Sequence, residues 1–475
     1  MNKITPDTQQ SQPLRNASAT AQHHVGFFSR FTNKLRAIET SQIIILTSTI
    51  LLLLAAAYAV YALQPELEKL HLERLSTTWG FYFIVITTAL LGYKLLFFLF
   101  NVLLYFKYKP VKSVSDDLLP TVTVIVAAYN EGHLVYDTLM SLAASDYPDE
   151  KIQLICIDDG SKDDTYTWMQ KAKETLGSRV AIYKQSKNMG KRHALYRGFN
   201  LGTGDVFVTV DSDSVVKNDT LRNLVSPFVV NNNVGAVAGN VQVLNSGRAI
   251  IPKMLNVSFV LSFEFMRSAQ SVLGSVLCTP GALSAYRKEA VFGCLDQWIN
   301  QTFNGHASDI GEDRAMTNMI MQQGYHVVFQ RNSYVLTNVP EQYQGLYKMF
   351  IRWGRSNVRE NLMMAKFVFT KFRQQKSRFG TRALFLDQAL NMALTYPFVL
   401  LMFVLICMHP VIFLTTTLFG ILLMSSFSVF FYAKRYTISE SFWAYSYSIL
   451  YTFGLFWIAP YAIATASRSG WLTRG

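Results

Sequence analysis

Asp211-Ser212-Asp213 sets two carboxylates two residues apart, directly after the apolar run Val206-Phe207-Val208-Thr209-Val210. That run reads as a buried strand. The acids then stand at its carboxyl end, where open α/β sheets bind ligands. Hard oxygen ligands at this spacing suit Mg2+ or Mn2+ carrying a diphosphate. Further on come Gly311-Glu312-Asp313-Arg314 and Arg352-Trp353. A carboxylate beside Arg314 is expected to stay ionised and ready to take a proton. Upstream, Ala127-Ala128-Tyr129-Asn130-Glu131 and Ile157-Asp158-Asp159-Gly160-Ser161 end two more strand-like runs. Acids and hydroxyls at strand ends can grip a uracil ring and its ribose, with Gly160 allowing close backbone approach. Asn188-Met189-Gly190-Lys191-Arg192 adds two cations beside a glycine, which suits a diphosphate. Each string alone has a plainer reading: a capped turn, a solvated basic loop, or, for Trp353, an anchor at a membrane interface.

These residues need a frame. From Pro120 to about Val339 strand-like and helix-like segments alternate. Thr121–Ala127, Gln153–Asp158, Val180–Tyr183 and Val206–Val210 are predicted strands. Helical patterns follow the first two and, at His193–Leu201, precede the fourth, which implies a mostly parallel sheet.

The rest of the chain is apolar. Half of its 475 residues are hydrophobic and 14% are aromatic, a level high for a soluble enzyme. Ile43–Leu63 carries no charge and Trp79–Phe106 only Lys94; each is long enough to cross a ~30 Å hydrocarbon core. Leu386–Met408 and Val411–Tyr432 are two more spans, and Phe442–Ala466 is either a further span or a re-entrant hairpin broken near Pro460. Five Lys or Arg precede the first span, whereas the loop after it holds two against three Glu. The positive-inside rule then places the central domain in the cytoplasm of a multi-pass protein of the cell (inner or plasma) membrane. Lys94 is expected either to snorkel to the interface or to line a conduit for a polar product.

The predicted organisation runs from a disordered to amphipathic cytoplasmic segment (1–40, with Val25–Ile38 as a surface helix) through two spans (41–106) to a catalytic domain (107–340). Interfacial amphipathic helices (341–383), further spans (384–466) and a cytoplasmic tail (467–475) complete it. No signal-peptide pattern is visible. The net charge of +13 sits near apolar runs, so lipid head groups and a nucleotide diphosphate account for it better than nucleic acid. The four cysteines show no zinc spacing.

In this order, Tyr129-Asn130-Glu131, Asp158-Asp159-Gly160-Ser161, Asn188-x-Gly190-Lys191, Asp211-x-Asp213, Gly311-Glu312-Asp313-Arg314 and Arg352-Trp353 resemble the family 2 glycosyltransferases. The likeness is greatest to the processive membrane synthases of hyaluronan, rhizobial chitooligosaccharides and cellulose. It runs over nearly the whole chain after about residue 40, including Gly470-Trp471-Leu472-Thr473-Arg474. The resemblance implies a GT-A-type α/β domain embedded in a helical transmembrane protein, a UDP-sugar donor, a polysaccharide acceptor and Mn2+ or Mg2+. It implies donor contacts from Tyr129, Glu131, Asp158, Asp159, Lys191, Asp211 and Arg352, and a metal held by Asp211 and Asp213. Asp313 would be the base that deprotonates the acceptor hydroxyl. Arg352 and Trp353 would complete the catalytic site, with Cys278, Glu312 and Trp353 on the acceptor side.

The spacing from Arg267-Ser268-Ala269-Gln270-Ser271 to Cys278 and Tyr286-Arg287 is similar to that of hyaluronan and chitooligosaccharide synthases, and favours GlcNAc. Two positions depart from the family pattern: Met349 replaces the usual Gln of Gln-x-x-Arg-Trp, and the turn after Cys278 reads Thr279-Pro280-Gly281. The expectation is a GlcNAc-containing polymer, with or without alternating uronic acid. Cellulose-like or uronate polymers, and a single-step transferase acting on a lipid-linked acceptor, are the alternatives. A silent subunit that keeps the fold would not need both Asp213 and Asp313.

Overall fold

A computed structural model of the chain describes residues 40–468. The disordered segment, the surface helix at Val25–Ile38 and the Gly470–Arg474 ending all lie outside the described residues. The chain divides into two compact units, Met1–Ile44 and Ile45–Gly475. Of the first, only the opening turn of the helix Thr40–Ala62 is described. The second holds everything discussed below.

Its frame is an eight-stranded sheet built from β1 (Val122–Ala128), β2 (Ile152–Asp158), β3 (Val180–Lys184), β4 (Val206–Asp211), β5 (Ser214–Val216), β6 (Val234–Val243), β7 (Leu283–Arg287) and β10 (His326–Thr337). The two-residue strands β8 (Thr302–Phe303) and β9 (His306–Ala307) form a separate ribbon. The order across the sheet is β3-β2-β1-β4-β7-β6-β10-β5. The first four strands are parallel, as are β6 and β10; β7 runs antiparallel between β4 and β6, and β5 antiparallel to β10.

Side-chain alternation explains how this sheet buries two faces. Val122, Val124, Val126 and Ala128 of β1 enter one apolar cluster with Val135 and Leu139 of the helix Leu134–Ala143 and Met169 of the helix Thr165–Leu176. Ile125 and Ala127 enter a second cluster with Ala194, Leu195 and Phe199 of the helix Lys191–Leu201. Period-two alternation with helices on both sides is what a parallel sheet requires. The register aligns Asp158 with Ala128, and Ala127 with Asp211. Three strand ends therefore open on one edge.

Apolar patterning marks only four of the eight strands. β6 escapes because Gly235, Gly239 and Asn240 interrupt it. Those glycines have a packing reason: a Cβ on Gly239 would lie 2.3 Å from Leu283 Cδ2, and one on Gly235 2.5 Å from Tyr325 Cβ.

Four helices are long and apolar enough to cross a membrane: Gln42–Ala62, Thr78–Lys107, Ser377–Met408 and Pro410–Arg435. The helix of the third begins at Gln375, well before Leu386. Its early residues Leu384 and Phe385 are buried in the second cluster of the sheet domain, so one rod serves domain and bilayer. The final apolar region is broken: Ile438–Gly454 and Ile458–Ala464 meet at a 50° bend. Lys94, expected to snorkel or to line a conduit, is paired with the third span. Its Nζ donates to Asp387 Oδ1 and Asn391 Oδ1, both at 2.6 Å, which satisfies the charge. The helix Tyr343–Ala365 turns Leu346, Met349, Ile351, Val358 and Met364 inward.

Candidate active site

The loops after β1 and β2 are knitted to one another by hydrogen bonds. Asn130 and Gly132 follow β1 with positive φ (53° and 54°), a conformation that Asn and Gly tolerate. The Asn130 amide donates to Ser161 Oγ (3.0 Å), and the Lys162 amide donates back to Asn130 Oδ1 (2.9 Å). The Glu131 and Gly132 amides both donate to Thr165 Oγ1 (2.8 and 2.9 Å). Tyr129 and Glu131 are half-buried at this edge.

Asp158 and Asp159 are adjacent but differ in task. Asp158 is fully buried; its Oδ1 accepts the Ser161 amide (2.9 Å), while Oδ2 has no partner among the described residues. Asp159 is saturated. Its Oδ1 accepts Gln185 Nε2 (2.7 Å) and the Met189 amide (2.9 Å), and its Oδ2 accepts the Gly190 amide (2.8 Å). In this arrangement Asp159 shapes the loop that leads to Lys191.

Gly190, at φ 92°, ends that loop and the helix Lys191–Leu201 begins. Lys191 Nζ contacts Asp211 Oδ1 closely and lies 3.4 Å from Glu312 Oε1. Burial works against its charge, but Asp211 and Glu312 override that and hold it protonated. The reading of Lys191 and Arg192 as a cation pair needs correction. Arg192 is 3% exposed and donates to Trp298 O (2.7 Å) and Gln301 Oε1 (3.0 Å). Consecutive helical positions point about 100° apart, so only the first faces the site.

Asp211 ends β4 and Asp213 lies two residues on. Asp213 Oδ1 accepts from Ser214 Oγ and Thr337 Oγ1, both at 3.3 Å. Among the described residues no group of three or more His, Cys, Asp or Glu could hold a metal ion. Two half-exposed carboxylates fit a different mode, in which Mg2+ or Mn2+ takes its remaining ligands from a diphosphate. On this donor set the residues fit the ion.

Asp313 stands in the first turn of the helix Glu312–Gln322, after Gly311 at φ 78°. Its Oδ1 accepts the Arg314 amide (2.7 Å) and its Oδ2 the Gly281 amide (3.1 Å). The expected pairing with the Arg314 side chain is absent, because that guanidinium points to Asn357, Asn361 and Gln388. Burial and the charge of Glu312 instead push the Asp313 carboxyl up to about 6, against the pull of Lys191 and the Arg314 amide. A base poised near neutral pH suits proton abstraction. Gly281, part of the divergent Thr279-Pro280-Gly281 turn, is close-packed: a Cβ there would sit 2.9 Å from Lys191 Nζ. Neither Gly281 nor the amides around Arg314 carries a local sequence signal for its role.

Cys278 Sγ lies 3.8 Å from Asp313 Oδ2, and burial followed by Asp313 pushes the thiol up to about 12, so it is a neutral wall. Glu312 is buried against Lys191, and its backbone carbonyl accepts Trp298 Nε1 (2.9 Å). Trp353 is 37% exposed, its ring centroid 6.2 Å from that of Phe259 and 5.6 Å from that of Phe350. Arg352 beside it is half-buried. Met349 is buried in the first apolar cluster, which also holds Leu346 and Leu455.

Residues 120–356 match the family described as glycosyltransferase-like family 2. That segment is a family 2 glycosyltransferase domain. It is related to an N-acetylglucosaminyltransferase of Rhizobium meliloti, 32% identical over 246 residues that make up 52% of this chain and 57% of the relative. A hyaluronan synthase of Streptococcus pyogenes is 31% identical over 268 residues, 55% of this chain and 62% of that one. The chain thus spans about three-fifths of the length of the curated relatives it matches. Among solved structures, a Pyrobaculum calidifontis mannosyltransferase in complex with GDP-Man and Mn2+ superimposes with a TM-score of 0.54 at 20% identity, covering 81% of this chain and 96% of its own. The glycosyltransferase domain therefore has a GT-A-like fold, accompanied by long apolar helices of membrane-spanning type.

Proposed function

We propose that this protein is a membrane-bound inverting glycosyltransferase that moves sugar from a UDP-sugar to a growing β-linked polysaccharide. The convergence of Lys191, Asp211 and Asp313 on one strand-end edge, with Cys278 beside the base, carries the reading. The names of the rhizobial and streptococcal relatives favour GlcNAc as a donor sugar, alone or alternating with a uronic acid. The basic N-terminal segment favours a cytoplasmic domain, with the product leaving between the helices.

In this reading Asp158, Tyr129 and Glu131 border the nucleoside, while Asp159 fixes the loop that presents Lys191. Mg2+ or Mn2+ on Asp211 and Asp213, when bound, takes up charge on the diphosphate. Asp313 accepts the acceptor hydroxyl proton as that oxygen bonds to the anomeric carbon, and the bond to the UDP β-phosphate oxygen breaks. The charge leaves with UDP, next to Lys191 and Arg352. The Trp353 ring, packed against Phe350 and Phe259, gives the sugar an aromatic face that imposes no rigid register, which suits an acceptor that advances.

Met349 packs in the apolar core and supplies no polar group in place of the usual Gln, so single-step transfer to a lipid-linked acceptor is the second reading. The test is purified protein with Mn2+ or Mg2+ and a panel of UDP-sugars. UDP release coupled to a polymer that linkage-specific hydrolases digest is expected. UDP release with only one sugar added to a lipid would instead establish the single-step reaction.

A further inference from the structure

Arg314 follows Asp313 in the helix Glu312–Gln322, where consecutive side chains point about 100° apart, and its guanidinium is bonded away from the Asp313 carboxylate while still close enough to feel its charge. Nη1 contacts Asn357 Oδ1 closely, and Nη2 donates to Asn361 Oδ1 (2.9 Å) and Gln388 Oε1 (2.6 Å). All three acceptors are neutral amides, weaker partners for a buried cation than a carboxylate would be. The neighbouring acid Glu360 is engaged elsewhere, accepting from Gln301 Nε2 and Asn318 Nδ2 (both 2.9 Å). Asn357 and Asn361 are one turn apart on the helix Tyr343–Ala365, whereas Gln388 comes from the helix of the third span.

Gln388 is itself held in place. The preceding Asp387 pairs with Lys94 of the second span (2.6 Å) and accepts Asn391 Nδ2 (3.1 Å). Leu384 and Phe385, one turn earlier, are buried against the domain. Asp313 is faced by Lys191, Glu312 and Asp211 on the donor side and by Cys278 and Arg267 on the other. A released Arg314 guanidinium would be one more cation beside that carboxylate and would weaken it as a base.

We propose that Asn357, Asn361 and Gln388 are positioning residues that hold the Arg314 guanidinium off the Asp313 carboxylate. A membrane span thereby helps to keep the base able to accept a proton. The inference rests on the assignment of Asp313 as the base.

The test uses the full-length enzyme in lipid nanodiscs and compares wild type, Asn361→Leu/Gln388→Met, the same pair with Arg314→Met, and Asp313→Asn. The pair is expected to lower kcat about tenfold with the KM for UDP-sugar unchanged, and to move the acid limb of the kcat profile down by roughly one pH unit or more. Adding Arg314→Met should recover kcat, because the misplaced cation is gone. A wild-type kcat in the pair, or a deeper loss on adding Arg314→Met, overturns the proposal. If the pair does not fold, Asn361→Leu is compared with Asn361→Leu/Gln388→Glu. There the restored carboxylate partner should raise kcat, and failure to do so counts against the idea. Transfer retained by Asp313→Asn would overturn the base assignment itself; an inactive Asp313→Asn with an unaffected pair overturns only this inference.

Discussion

The proposed donor and acceptor halves of the candidate site are built in contrasting ways. On the proposed donor side, the loops after β1, β2 and β3 follow one another in sequence and bond to each other, as Asn130 does to Ser161 and Gly190 to Asp159. Each loop is a strand end that has only to be closed. On the acceptor side, Asp313 depends on Gly281 from the turn before β7, while its neighbour Arg314 is held by a separate helix and a membrane span. The first half is local and self-sufficient; the second is long-range and shares its supports with the bilayer. Damage to the donor half should therefore weaken binding, and damage to the acceptor half should slow chemistry.

Asp313→Asn is the sharpest probe of this contrast. It should lower kcat by about 10²–10⁴-fold, with UDP affinity by calorimetry unchanged; loss of UDP binding would merge the two halves. In the wild type, kcat/KM should fall as the pH drops through about 6, since the raised Asp313 carboxyl is protonated and unable to accept a proton below that value. Asp213→Asn comes next and should abolish the response of UDP-sugar binding to added Mn2+ or Mg2+. A chelator should do the same to the wild type. Asp159→Ala removes three hydrogen bonds from the Lys191 loop and should raise the KM for the UDP-sugar about tenfold or more, at about 1–3 kcal/mol. A fall in kcat alone would place Asp159 in the wrong half. The smallest effect on turnover is expected from Met349→Gln. It puts an amide into an apolar cluster and should cost about 1–3 kcal/mol of stability, read as a lower Tm, while product length stays the same. Longer product would restore position 349 to the acceptor site.

How legible each half was follows from the same contrast. The four parallel strands showed in the sequence because each is a short apolar run rich in β-branched residues that ends in a polar turn. The positions of Asp158, Lys191, Asp211 and Asp213 at or beside strand ends and a helix start showed with them, while their roles belong to the proposed function. β6 did not show, because Gly235 and Gly239 serve contacts with Tyr325 and Leu283 rather than a local conformation. Arg192 was misplaced because adjacency in sequence says nothing about which side of a helix faces a ligand.

By itself the amino-acid sequence determined a mostly parallel α/β domain between apolar spans, and the ordered acids, lysine and Arg-Trp pair that resemble a family 2 glycosyltransferase. Those are properties of short windows, where hydrophobic period and turn chemistry act within a few residues. Only the tertiary structure decided that Asp159 builds a loop, that Lys94 pairs across two spans, and that Met349 lies in the core. It also decided that Arg314 leaves its neighbour Asp313 for amides on two distant helices. The physical reason is that the charge state and reach of a buried side chain depend on partners brought together by packing, and a linear pattern does not name those partners.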